Sequence, residues 1–397
     1  MNKEVLIING ARTPIGRYGG VFKDIRVHDL GVAAVKGALE KSGVKPEWLD
    51  QVIIGNARQA GNMPNPARIV AVRAGIPVNV PAYTVNVTCA SGMLANMLAT
   101  QAILLGDRNL VLTGGMEHHS SVPYLSFHTR WGTQGSGDVP LVDAQFNDGY
   151  YCGIEHVHMG LLTDRYAEEL GITRQQQDRF AYESQMKVKK AKADGFFAKT
   201  IVPVAVPQRR GPPKMITEDE TPRPETTMEV LATLKPAFRP EGTVTAGNAP
   251  TIPDGAAAMV VCSREKANEL GLKPLGRILS YELSACEPKH FGVSQVPGIP
   301  VALKKAGLTM KDIDQVEINE AFAAEVLMVI MQSGIDPKKV NIHGGGCSLG
   351  HPTGMSGNRL TLDVLNSLHE TGGRYGLACI CGNGGNGGSI IVERLTK

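Results

Sequence analysis

Residues 38–57 read ALEKSGVKPEWLDQVIIGNA and residues 302–321 read ALKKAGLTMKDIDQVEINEA. Nine of the twenty positions are identical, at a constant offset of 264. Each copy runs from a helical pattern through a glycine into a short apolar strand. No other feature constrains the fold as strongly. Two copies of one α/β unit carry equivalent apolar faces and bury them by packing on one another. The likeness continues in the same order: the helical run after Cys89 corresponds to the run after His351. The strand ending in Thr113-Gly114-Gly115 corresponds to residues 377–382.

Strands and helices alternate along the chain. Residues 4–9 read as a buried strand, 29–42 as a helix capped by Gly43, and 52–55 as a second strand. Residues 93–105 read as a buried helix and 110–113 as a strand ending in a turn at Gly114-Gly115. The alternation predicts a parallel sheet covered on both faces. Between the repeats, residues 121–248 differ in character, with polar turns around 131–138, a helical stretch from 160 to about 193, and a Pro- and Arg-rich segment at 207–224. Long insertions on a rigid scaffold usually carry binding function. The expected domains are 1–120 with 249–272, an inserted loop domain at 121–248, and 273–397.

Composition narrows the function. The 397 residues carry 41 basic and 38 acidic side chains, a net +3, which lacks the electrostatic footprint of a nucleic-acid binder. No apolar run reads as long enough to cross a membrane. The N-terminus turns acidic too soon for a signal peptide. The seven cysteines are odd in number and scattered, which fits a reducing, cytoplasmic setting and no metal site.

Chemistry concentrates at a few places. Cys89 opens a helix, where free N–H groups and the macrodipole favour thiolate over thiol. Ala90, Ser91 and Gly92 keep its surroundings small. Asn319-Glu320-Ala321-Phe322-Ala323 follows the strand of the second repeat. Residues 344–354 form a glycine-rich turn that presents His351 before a helix. Cys381-Gly382-Asn383-Gly384-Gly385 ends a strand.

These stretches together resemble the thiolase family, of the acetyl-CoA acetyltransferase type, over essentially the whole chain. The resemblance also rests on Arg12-Thr13-Pro14, Asn65-Pro66-Ala67-Arg68, Gly114-Gly115-Met116-Glu117, Leu234-Lys235-Pro236-Ala237-Phe238 and residues 245–248. It implies duplicated α/β halves in a five-layered αβαβα fold. It implies Cys89 as acyl-accepting nucleophile, His351 as its base, and Asn319 acting through an ordered water in an oxyanion site with His351. Cys381 would be the acid–base residue, and the N–H groups of Cys89 and Asn383 a second oxyanion site. For CoA and acyl binding it implies His158, Met159, Arg223, Ala246, Gly247, Pro250, Phe291 and Phe322. Acyl-CoA, acetyl-CoA and CoA are the expected partners, with no metal or other cofactor, no nucleic acid and no membrane. A homo-oligomer, tetramer or dimer, is expected, with the turn at 131–137 at its contacts.

The chain departs from the family pattern at Pro250-Thr251, at Phe291-Gly292-Val293-Ser294-Gln295 and at Asn383, where glycine is usual. Asn tolerates left-handed backbone, so the oxyanion site should survive. Polar His290 and Gln295 near an acyl pocket suggest an acyl chain with something to bond, whether aromatic, branched or dicarboxylic, or a water-filled pocket, with an ordinary acetoacetyl-CoA thiolase as the alternative. Two other classes compete: a decarboxylating condensing enzyme, which has no need of Cys381, and a non-catalytic acyl-CoA or lipid-binding subunit.

Overall fold

The computed structural model of the chain describes residues 3–132 and 136–396. Its principal strands are β1 (Val5–Arg12), β2 (Gln51–Gly55), β3 (Ala82–Val85), β4 (Leu110–His118), β5 (Pro253–Ser263), β6 (Gly276–Ala285), β7 (Gln315–Ile318), β8 (Tyr375–Gly382) and β9 (Asn386–Arg394). The principal helices are α1 (Val27–Ser42), α2 (Pro66–Arg73), α3 (Ser91–Leu105), α4 (Met159–Glu169), α5 (Arg174–Ala193), α6 (Gly298–Ala306), α7 (Ala323–Ser333) and α8 (Thr353–Thr371).

The sequence repeat is a structural repeat. α1 and α6 each end on a left-handed glycine, Gly43 at φ 67° and Gly307 at φ 70°. Only glycine takes that conformation without steric penalty. A single 3-10 turn follows in each copy, at Pro46–Trp48 and Met310–Asp312, and then β2 or β7. Strand order is β7-β8-β9-β6-β1-β5-β4-β2-β3. It reads symmetrically outward from the β6–β1 junction. There Val5, Leu6 and Ile7 pair with Ile278, Arg277 and Gly276, so one ladder joins the halves.

Strand periodicity sorts side chains into layers. Leu6 and Ile8 face α1 and α2 on one outer side. Val5 and Ile7 face the middle layer, where Met93 and Met97 of α3 meet Leu360 and Val364 of α8. The other outer layer packs Ile299 and Leu303 of α6 and Val326 and Val329 of α7 on β7 and β8. The result is five layers, αβαβα. α4 and α5, from the long segment between the halves, add Ala167 and Ile172 to this second outer layer or pack beside it. A buried bidentate pair, Arg12 Nη1 and Nη2 on Asp219 at 2.6 and 2.8 Å, ties the same segment to β1.

Three expectations need correction. The sheet is mixed, not parallel: β3, β2 and β4 run parallel, as do β7 and β8, and the other pairs are antiparallel. β9 follows β8 after only Asn383–Gly385, too short for a parallel crossover. Gly114 and Gly115 are not a turn, since β4 runs through them to His118. A Cβ on Gly114 would stand 2.7 Å from Ala257 O, and one on Gly115 would overlap the Gly354 carbonyl. These glycines admit a neighbouring strand and the start of α8. Finally, Thr88–Leu105 is long and apolar enough by composition to span a membrane, with mean hydropathy 1.3. It is the central core helix, most of it buried against α8 and both sheet halves, with Leu104 and Leu105 exposed at its end. Part of the expected contact turn, residues 133–135, lies outside the described residues.

Candidate active site

Cys89 sits in a 3-10 turn, Thr88–Ala90, that leads directly into α3. Thr88 adopts φ 54°, rare for a residue with a branched side chain. Its N–H donates to Asn86 Oδ1 at 2.9 Å, and its carbonyl accepts from Ser91 Oγ at 2.6 Å. Such strain persists only when neighbours over-determine it. Gly92, on the next turn, leaves space for the Gly354 carbonyl and the Asn358 N–H of α8. The small residues after Cys89 therefore serve helix contact.

The expected thiolate is overturned. Burial pushes the Cys89 thiol up to about 11, against the helping charge of Arg58 and the N–H of Asn383. The helix start does not outweigh the lost hydration. At neutral pH the resting group is a thiol, so its reaction needs a base.

His351, which lines the same cavity as Cys89, is the candidate for that base. Burial, followed by the charges of Arg58 and Arg359, holds the imidazole down at about 3, so it is neutral at pH 7. The Ser356 hydroxyl lies 2.6 Å from Nδ1 and donates to the Pro352 carbonyl at 3.1 Å. Ser356 Oγ therefore accepts from Nδ1–H, and Nε2 keeps its lone pair. Asn319 Nδ2 stands 3.4 Å from Nε2, and Asn319 Oδ1 is buried without a partner among the described residues.

Glu320, beside Asn319, is not solvated. It accepts from Asn341 Nδ2 (2.8 Å), Ser184 Oγ (2.8 Å) and the Cys347 N–H (2.9 Å). It pins the Asn319 loop, the turn before His351 and α5 together. Asn248 does the same for its own run, accepting the Ala323 N–H at its carbonyl at 2.9 Å.

Cys381 ends β8, and its Sγ lies 3.4 Å from Glu325 Oε2 on α7. Glu325 Oε1 accepts from Thr163 Oγ1 at 3.2 Å. Burial raises the Glu325 carboxyl to about 8, and burial with that carboxyl beside it holds Cys381 well above the usual thiol range. Asn383 does not use left-handed backbone; Gly384, at φ 78°, does. The Asn383 side chain donates to the carbonyls of Gly149 and Tyr151 at 3.1 and 3.0 Å. It thereby fixes the segment that carries Tyr150.

The cavity of about 230 Å³ is lined by Cys89, His351, Arg58, Tyr150, His158 and Met159, with Phe238, Pro250 and Phe322 further along. Four expected binding residues, His158, Met159, Pro250 and Phe322, are thus in its wall. Arg223 and Ala246 are exposed and Gly247 half-buried, all outside that lining. Phe291 is fully buried in the cluster around Cys381 and Phe322, not on the cavity. His290 and Gln295 are also away from it. His290 stacks on Tyr166 with centroids 4.1 Å apart, and Gln295 is buried at the turn before α6. The polar-pocket argument built on them does not hold, because that loop turns its polar side chains away from the cavity.

Sequence reasoning missed Glu325, Ser356, Tyr150 and Arg58. For Glu325 a signal existed: one acidic residue in the otherwise apolar run of α7. The others carry no local mark.

A nucleophilic thiol, a neutral imidazole and a second thiol at one seam define an enzyme of thioester exchange. The thiolase N-terminal domain model matches residues 5–265 and the thiolase C-terminal domain model residues 272–394. The chain is 44% identical over 391 residues to an acetyl-CoA acetyltransferase of Cupriavidus necator, covering 98% of this chain and 99% of that protein. It superposes on the Bacillus anthracis acetyl-CoA acetyltransferase with TM-score 0.96 at 39% identity, over 100% of both chains. Human mitochondrial 3-ketoacyl-CoA thiolase in complex with CoA gives TM-score 0.95 at 37% identity, over 99% of this chain and 98% of that one. The chain belongs to the thiolase family.

Proposed function

We propose that the chain is a CoA-dependent acyltransferase that cleaves a 3-ketoacyl-CoA to acetyl-CoA and a shortened acyl-CoA, and runs the reverse Claisen condensation. The observation that carries this reading is the pairing of a buried Cys89 thiol with a His351 imidazole held neutral and in the Nε2-basic tautomer. In cleavage, His351 takes the Cys89 proton and the sulfur attacks the keto carbon. The bond between C2 and C3 breaks, and its electron pair leaves with acetyl-CoA as an enolate, which Cys381 protonates. The Cys381 thiolate takes the proton of the CoA thiol, the CoA sulfur takes the acyl group, and the released Cys89 sulfur regains its proton from His351.

Two sites hold the negative charge on oxygen. One joins His351 to a water on Asn319, whose free Oδ1 supports that role. The other joins the N–H groups of Cys89 and Asn383. His158, Met159, Pro250 and Phe322 line the thioester channel, and Arg223, near the nucleotide, binds CoA outside it together with Ala246 and Gly247. The human relative's complex with CoA supports CoA as a ligand of this chain. The thioester supplies the activation, and no further cofactor is required.

We infer a cytoplasmic homo-oligomer. Seven unpaired cysteines support a reducing compartment. Trp131, 93% exposed, supports a subunit contact.

Incubating the protein with acetyl-CoA and weighing it intact tests the reading. One acetyl adduct, lost in Cys89→Ala, is expected. Unmodified protein at saturating acetyl-CoA would refute it.

A further inference from the structure

The cavity holds a cation that none of these steps uses. Arg58 is 3% exposed and lines the cavity beside Cys89, Tyr150 and His351. Its Nη1 donates to the Thr353 hydroxyl at 2.7 Å. That hydroxyl faces His119 Nε2 at 3.1 Å, and His119 Nδ1 meets the Pro253 carbonyl at 2.5 Å. This chain of contacts ends on a neutral group. The Tyr150 ring lies 4.6 Å from the guanidinium carbon, and Nε is buried with no partner among the described residues.

The carboxylate beside it, Glu117, is already occupied. Its oxygens accept from Asn56 Nδ2 (2.8 Å) and from the N–H groups of Ala57 (3.1 Å), Arg58 (3.0 Å) and Gly354 (3.0 Å). It offsets the charge at a distance and, apart from Nη1 on Thr353, leaves guanidinium donors such as Nε without a partner among the described residues. A guanidinium is a permanent cation, and burying one without a hydrogen-bonded anion is unfavourable.

Activation of Cys89 does not account for it. Moving the thiol proton to His351 makes a thiolate and an imidazolium together. A cation near both stabilises the first and destabilises the second, so the pair gains little. A negative charge delivered by the substrate has no such cancellation.

We propose that Arg58 binds a carboxylate at the far end of the acyl chain, so that the enzyme's substrates are ω-carboxylated 3-ketoacyl-CoA thioesters. This rests on the thiolase reading above and names its substrate class. The planar guanidinium offers paired donors suited to a carboxylate. A methyl-terminated chain would leave those donors facing hydrocarbon, which is the arrangement that discriminates most strongly.

The test is thiolysis of ω-carboxylated 3-ketoacyl-CoA thioesters of increasing length, each paired with its methyl-terminated counterpart. Wild type, Arg58→Leu and Arg58→Lys are compared. For at least one length, the wild-type ratio of kcat/KM should favour the carboxylate by about 100-fold or more. Arg58→Leu should bring the ratio to one or below, and Arg58→Lys should keep part of it, because charge remains while the paired donors are lost. A ratio cancels differences in folded fraction. Equal wild-type values at every length, or equal losses for both partners in Arg58→Leu, would overturn the proposal. Acetylation of Cys89 is weighed on the same samples. Wild type that is acetylated but indifferent to the terminal group sinks only this proposal, whereas wild type that is never acetylated removes the thiolase reading beneath it.

Discussion

Cys381 and Glu325 face each other across 3.4 Å, Sγ to Oε2, with both groups buried between β8 and α7. A thiol and a carboxyl in such contact share protons, and the charge of either resists that of the other. With the carboxyl near 8, Glu325 is protonated at neutral pH and its hydroxyl is free to bond a Cys381 thiolate.

The first prediction concerns that pair. Condensation needs Cys381 as a thiolate, so its rate should fall as Glu325 ionises above pH 8. Glu325→Gln should remove that limb. The same group affects stability. Its ordinary value is 4.5 and its folded value about 8. Between these the unfolded chain binds fewer protons, so stability should decline as pH rises from 4.5 to 8 and level off above. Melting curves across that range should be flatter for Glu325→Gln. A wild-type slope retained in the variant would contradict the assignment.

Acylation by acetyl-CoA should show no loss near pH 6.5, where an ordinary histidine base would titrate. His351 stays neutral down to about 3. Single-turnover mass measurements from pH 5 to 8 give the profile, and a half-maximal rate at pH 6.5 would speak against a depressed His351. For stability the sign is opposite to that of Glu325. The unfolded imidazole gains a proton below 6.5 and the folded one does not, so this contribution is complete above 6.5 and lost as pH falls toward 3.

Cys381→Ala should separate the half-reactions. Forming the acetyl-enzyme requires no carbanion, whereas making or breaking the carbon–carbon bond does. The variant should still gain an acetyl group on Cys89 while its turnover of acetoacetyl-CoA falls by about 10²–10⁴-fold, the usual contribution of a positioned acid–base group. Parallel loss of both steps would show that Cys381 supports the fold or the nucleophile instead.

Ser356→Ala removes the acceptor that holds His351 Nδ1–H. Without it the ring populates the tautomer with Nε2 protonated, which is no base. Acylation should slow on the order of 10- to 100-fold, part of what a general base supplies, with the Kd for CoA unchanged. A weakened Kd with a normal acylation rate would count against a tautomer role.

Asp219→Asn should be costly to the fold. Arg12 is 1% exposed and bonded through two nitrogens to Asp219, which also accepts the Ile15 N–H at 2.8 Å. Removing the anion leaves a buried, uncompensated guanidinium, for about 3–5 kcal/mol. Denaturant titration measures it, and a change below about 1 kcal/mol would mean that water reaches Arg12.

Much of the architecture was written locally. The repeat at 38–57 and 302–321 encodes helix, left-handed glycine, turn and strand within twenty residues each, and local rules read them. Cys89, Asn319, His351 and Cys381 stood out because each lies where a strand or glycine turn meets a helix. The strand through Gly114 and Gly115 was misread because their glycines answer to the Gly354 and Ala257 backbones, far along the chain.

The sequence alone therefore determined the duplicated α/β plan and marked the stretches that meet at the candidate site. Tertiary structure decided the protonation of those groups and their company. Cys89 is a thiol because packing strips its water, a loss larger than its helix start returns. Glu325 meets a residue 56 positions away and Arg58 one 295 positions away. Desolvation and charge act through space, and spacing along a chain registers neither until the layers close.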